Sequence, residues 1–155
     1  EIKHIYIYIY ITIQTVCKIM GKKAVLVGCN YPSWDINLHG CVNDVFAMRK
    51  VLMGHYGFLE EDIKVLIDTD DQYPNPEAAI ICKALKDLIF QSKPGDVLFF
   101  HYSGHGVGVE PEAGDVDETG QDECIFTSDG KLIYGMFPQN MTIITCSHFF
   151  LSPNV

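Results

Sequence analysis

The chain has 155 residues, a formal net charge of −9 and a pI near 4.9, with 48% hydrophobic residues. That length suits one domain with a sizeable core. The acidity argues against nucleic acid as a partner and favours a soluble protein that takes cations or basic substrates.

Six cysteines, Cys17, Cys29, Cys41, Cys82, Cys124 and Cys146, show no framework spacing. Several stand in apolar runs, as reduced cysteines of an intracellular protein do. The expected compartment is the cytoplasm, or the nucleus. The amino terminus alternates two residue types, Ile5-Tyr6-Ile7-Tyr8-Ile9-Tyr10-Ile11, a pattern that a repeated TA dinucleotide encodes. Met20 precedes Gly21-Lys22-Lys23-Ala24, which has the look of a natural start. Residues 1–19 are therefore expected to be a non-native or disordered extension of translated upstream sequence. Their apolar stretch is shorter than the ~18 residues of a membrane span. As a signal peptide its charged start is weak and no small-residue cleavage site follows. No membrane partner is expected.

Ala24-Val25-Leu26-Val27-Gly28-Cys29 is a compact apolar run and the first predicted strand. Asn30-Tyr31-Pro32-Ser33-Trp34-Asp35 is a loop by its turn chemistry. From Cys41 a helical period places Val42, Val45, Phe46, Leu52 and Met53 on one face, with stop signals at Gly54 and Gly57. Ile63-Lys64-Val65-Leu66-Ile67 is a second strand, and Asp68 to Pro76 an acidic surface loop. Glu77 opens a second helix with Ile81, Leu85, Leu88 and Ile89 along its buried face. Acids in its first turn and Lys93 beyond its end complement the helix dipole.

The turn Lys93-Pro94-Gly95-Asp96 then introduces Val97-Leu98-Phe99-Phe100, a buried central strand that runs into His101-Tyr102-Ser103-Gly104-His105-Gly106. An acidic loop over 107–122 and a short strand at Cys124-Ile125-Phe126 follow. The order βαβαββ predicts an α/β fold with a mostly parallel sheet covered by helices on both faces. Met141-Thr142-Ile143-Ile144-Thr145 has strand composition, but the helical crossover usual for parallel pairing is missing before it.

Open α/β sheets place their chemistry at the carboxyl ends of their strands. His105 falls at such an end, between two glycines that allow close approach. Its side chain suits proton transfer near neutrality, against the alternative of a surface histidine with no role. His101 reads as structural, and a zinc pair with His105 needs a helix that Ser103-Gly104 argues against. Gly104, Gly106 and Gly108 do not make a dinucleotide loop, because acids follow where a helix amino terminus should stand. Asp115-Val116-Asp117-Glu118-Thr119-Gly120 fits the first half of an EF-hand loop, yet Phe126 replaces its closing glutamate. Glu110, Glu112, Asp115, Asp117, Glu118, Asp122 and Glu123 still crowd oxygen ligands together, as either a calcium site or a solvated acidic loop. Cys29 ends the first strand, as a small buried hydrophobe or as a neighbour of His105 at the sheet edge.

Four segments in order, Lys23 to Pro32, Leu38-His39-Gly40-Cys41-Val42-Asn43-Asp44-Val45, His101 to Gly106, and Asp122-Glu123-Cys124-Ile125, resemble the metacaspases, most of all the plant type II group. The resemblance covers about residues 20–129. It implies a caspase-like three-layer α/β sandwich and a cysteine endopeptidase cutting after arginine or lysine, activated by calcium, with roles in programmed cell death or stress. His105 matches the family's catalytic histidine, and the Gly106 backbone N–H would be an oxyanion donor. Asp115, Asp117, Asp122 and Glu123 fall in the acidic region associated with calcium.

The family's nucleophile segment, Asp-Ser-Cys-His-Ser-Gly, does not occur here. Thr145-Cys146-Ser147-His148-Phe149-Phe150 lacks its aspartate and glycine, so Cys146 reads as an accident of divergence. Cys29 is carried as a substitute nucleophile. The sequence reading is thus a truncated peptidase domain over 20–129, incomplete on its carboxyl-terminal side, with a divergent tail over 130–155. Its expected partners are peptides with arginine or lysine at the cleavage site and a full-length metacaspase. Little or no turnover is expected. The alternative is a non-catalytic module that binds calcium or a partner.

Overall fold

The computed structural model describes residues 21–109, 122–134 and 142–147. Four strands form one wholly parallel sheet: β1 (Lys22–Gly28), β2 (Ile63–Ile67), β3 (Val97–Gly104) and β7 (Thr142–Ser147), in the order β2-β1-β3-β7. Helices α1 (Cys41–Tyr56) and α2 (Ala78–Phe90) make the crossovers. A second sheet of three short antiparallel strands follows β3, namely β4 (Gly106–Val109), β5 (Asp122–Phe126) and β6 (Leu132–Ile133).

Strand β1 lies between β2 and β3 and is covered on both faces, which explains its unbroken apolar run. Ala24 and Leu26 join Val42, Val45 and Leu52 of α1, with Phe58, Ile63, Val65 and Ile67. Val25 and Val27 point the other way, into Ile81, Ala84 and Leu88 of α2, with Leu66, Phe100 and Tyr102. The period-2 alternation of one strand thus holds together a helix–sheet–helix sandwich.

Several expectations need correction. Met53 and Ile89 are 37% and 41% exposed. Each stands eight positions after a fully buried residue of its own helix, Val45 or Ile81, and so about 80° round from it. Helix α1 runs past Gly54 and stops at Gly57, whose φ of 66° and N–H to the Leu52 carbonyl close it. Helix α2 has no acid in its first turn. Glu77 stands at its N-cap, and the Ala78 N–H is bonded by the Asp129 carboxylate at 3.0 Å. The acidic loop begins later than 107, because Gly106–Val109 pairs with β5. The short strand over Cys124-Ile125-Phe126 belongs to β5 and the antiparallel sheet.

Ordered structure also continues past Asp129. Strand β6 pairs with β5, and β7 joins the main sheet in register Phe99↔Thr142 through Gly104↔Ser147. The small sheet occupies the crossover between β3 and β7 that the sequence reading sought as a helix. Residues 1–20 and the segments 110–121, 135–141 and 148–155 lie outside the described residues. Among the described residues no helix is long and apolar enough to cross a membrane.

Candidate active site

Strands β1, β3 and β7 end together. The register pairs Gly28 with Ser103, Ser103 with Cys146 and Gly104 with Ser147. Cys29, one residue past β1, donates its N–H to the Ser103 carbonyl at 2.9 Å. His105 follows β3 directly, so the parallel sheet delivers it to this edge as expected.

His105 is no surface-loop histidine, being only 7% exposed. It is buried against the loop between β1 and α1, next to Tyr31 and Tyr102 of the cluster on the α2 side of the sheet. Nε2 lies 2.7 Å from the Ile36 carbonyl oxygen. A carbonyl only accepts, so Nε2 carries a proton, and in the neutral ring Nδ1 holds the basic lone pair. The Tyr31 ring packs on the imidazole with centroids 5.0 Å apart and planes at 32°. The His105 backbone is pinned at both ends. Its N–H donates to the Tyr31 hydroxyl at 3.0 Å, and its carbonyl accepts from Tyr102 at 2.9 Å and from the Phe126 N–H at 3.1 Å. Burial pushes both tyrosine hydroxyls far up in pKa, so they stay protonated.

The bond from the Phe126 N–H to the His105 carbonyl settles the alternation of the β4–β5 ladder. Gly106 and Ile125 then form a non-hydrogen-bonded pair, and the Gly106 N–H points away from β5.

Asp44 is a part of the edge that the sequence reading passed over. It lies in the first turn of α1, and its Oδ2 accepts from the Ser103 hydroxyl at 2.8 Å. Gly28 permits this approach, because a Cβ there would meet Val45 Cγ2 at 2.9 Å and the Cys41 carbonyl oxygen at 3.0 Å. Among the described residues the ion pairs are Arg49–Glu60, Lys83–Asp87 and Lys131–Asp129, so Asp44 is not neutralised by a lysine or arginine there.

Cys29 is fully buried. Burial first, then the Asp68 carboxylate, pushes its thiol well above the usual range. An activated thiol needs the reverse, a depressed pKa beside positive charge. Cys41 is raised too, mainly by burial, with Ser103 partly offsetting and Asp44 and Asp68 adding to the shift. Of the calcium candidates, Asp115 and Asp117 lie outside the described residues, and Asp122 and Glu123 stand in β5 with side chains outside them. Among the described residues no group of three or more His, Cys, Asp or Glu side chains is placed to hold a metal ion.

The sequence matches the metacaspase, peptidase C14 domain family over residues 22–144. The chain belongs to the metacaspases. It is 56% identical to Metacaspase-7 of Arabidopsis thaliana over 110 residues, which cover 71% of this chain and 27% of that protein. It is 54% identical to Metacaspase-6 of the same plant over 114 residues, covering 74% and 31%. The chain therefore spans less than a third of the length of these curated relatives. The crystal structure of protein GSU0716 from Geobacter sulfurreducens shares the fold, with a TM-score of 0.56 at 22% identity over 81% of this chain and 48% of that one. This metacaspase chain carries the family's cysteine-peptidase fold with the α/β architecture expected of it. The family match runs through β6 into β7.

Proposed function

We propose that this metacaspase chain carries the base half of a cysteine endopeptidase site that cleaves after arginine or lysine, in proteolysis linked to cell death or stress. The observation that supports it most is the Nε2–H bond to the Ile36 carbonyl, which leaves Nδ1 of His105 as proton acceptor at the sheet edge. In this reading Nδ1 takes the proton of a cysteine thiol as the sulfur attacks the scissile carbonyl. The carbonyl π-electron pair moves onto oxygen, which the outward N–H of Gly106 stabilises. The oxyanion then collapses and the C–N bond breaks as the imidazolium gives its proton to the leaving amine, and water hydrolyses the resulting thioester to free the sulfur. Asp44, partly exposed two positions from the Asn30-anchored amino end of α1, offers a carboxylate for a basic side chain. We place this chemistry in the cytoplasm or nucleus, where the family's thiol stays reduced.

Cys29 is poorly suited to supply the sulfur, being buried and held protonated. Cys146 is the described cysteine whose backbone stands opposite Ser103. With no Asp-Ser-Cys-His-Ser-Gly segment present, the 155-residue chain is expected to show little or no cleavage of arginyl or lysyl peptides, with or without millimolar calcium. Calcium, if it acts, would bind through Asp115, Asp117, Asp122 and Glu123, and calorimetry with the metal reads that separately. Calcium heat without turnover supports a binding module able to pair with a full-length relative. Robust turnover lost in Cys146→Ala but kept in Cys29→Ala would overturn the inactive reading and assign the sulfur. Turnover indifferent to His105→Ala would remove the peptidase reading altogether.

A further inference from the structure

We propose that Asp68 and Tyr31 are positioning residues for His105, acting as one clamp that fixes its place and its tautomer. The inference rests on reading His105 as the base. Tyr31 is the only non-glycine among the described residues with positive φ, at 54°. A bulky side chain in this left-handed region is strained and persists only where its surroundings hold it. The holding group is Asp68 at the end of β2. Its Oδ1 accepts the Asn30 N–H at 2.9 Å and its Oδ2 the Tyr31 N–H at 2.7 Å. Both oxygens are spent on two consecutive backbone amides, and charge-assisted bonds of this kind are the strong ones.

The turn that results has three consequences. It sends the Tyr31 side chain inward, fully buried, so that ring and hydroxyl meet the imidazole and the His105 N–H. It aims Asn30 Oδ1 at the first free amides of α1, Cys41 at 3.1 Å and Val42 at 3.4 Å. It also starts a loop that closes through Leu38 N–H to the Asn30 carbonyl at 2.7 Å and carries the Ile36 carbonyl to Nε2. Strand β2 lies two places from β3 in the sheet, so Asp68 reaches His105 only through this loop.

The test uses the 155-residue protein labelled with ¹⁵N-histidine. Imidazole nitrogen shifts report the His105 tautomer, and amide exchange reports its backbone. Asp68→Asn replaces one accepting oxygen with an NH₂ that faces an N–H. It is expected to add a detectable Nδ1–H population and to speed His105 amide exchange roughly fivefold or more. Tyr31→Phe keeps the ring and removes the hydroxyl, so exchange should quicken by a similar factor while the tautomer stays Nε2–H. Asp96→Ala, which frees the Gly21 and Lys93 N–H groups at the amino-terminal end of β3, opposite His105, serves as the control for general loosening. Wild-type tautomer and exchange in Asp68→Asn would overturn the proposal. So would an equal change in Asp96→Ala at matched loss of melting temperature. Neither readout involves peptide cleavage, so this inference and the peptidase reading fail separately.

Discussion

At Gly104 the site leaves no room for one methyl group. A Cβ there would lie 2.4 Å from the Tyr102 hydroxyl oxygen and 2.9 Å from that of Tyr31, the two groups that pin His105. Both hydroxyls are buried and bonded to the Phe126 carbonyl at 2.7 and 2.6 Å, so neither yields cheaply. Gly104→Ala is expected to cost about 2–3 kcal/mol, read as a lower urea midpoint. An unchanged midpoint would show that the tyrosine pair can shift. His105 itself was legible in the sequence, because a strand ending in a glycine-flanked histidine advertises its position. Its partners were not. Ile36 contributes a backbone oxygen, which no residue type signals. Tyr31 reads as loop because its left-handed turn depends on Asp68, 37 positions away. Asp44 reads as an ordinary first-turn acid until Gly28 brings α1 against the sheet.

Helix α2 takes its amino-terminal cap from another part of the chain. Asp129 bonds the Ala78 N–H and the Thr127 hydroxyl, and pairs with Lys131 at 2.7 Å. Burial works to raise its pKa, but the bonds from Lys131, Thr127 and Ala78 outweigh that and bring it from 3.8 down to about 2. A folded-state pKa below the unfolded one gives stability that is fully present above pH 3.8 and is lost as pH falls through about 2. Asp129→Ala is expected to cost about 1 kcal/mol at neutral pH. Denaturation across that acid window should show the variant and the parent converging. The helix itself was legible from the spacing of Ile81 and Leu88. Its cap was not, because local sequence carries no trace of an acceptor 51 residues away.

At the largest scale, the parallel sheet separates two apolar clusters among the described residues. Leu52 anchors one and Ile81 the other. Each alanine replacement is expected to cost about 2–4 kcal/mol. Because the sites face opposite sides of β1, the double variant should match the sum within ~0.5 kcal/mol, with a single thermal transition. A larger discrepancy would mean that the sheet transmits repacking from face to face. The parallel βαβ order was readable from apolar runs alternating with helical periods. The antiparallel sheet was hidden, because β4 and β6 are four and two residues long and flank acidic or turn-rich sequence. Strand β7 was harder to place because no helical period in the sequence precedes it. Where β1 sits also shapes how the polypeptide matures on the ribosome. It is made first among the described strands, yet neither flank can pair until Ile63–Ile67 and Val97–Gly104 have been synthesised. A sticky, β-prone ribbon must therefore wait through tens of codons for its neighbours, the stage at which nascent chains of this topology depend on chaperones.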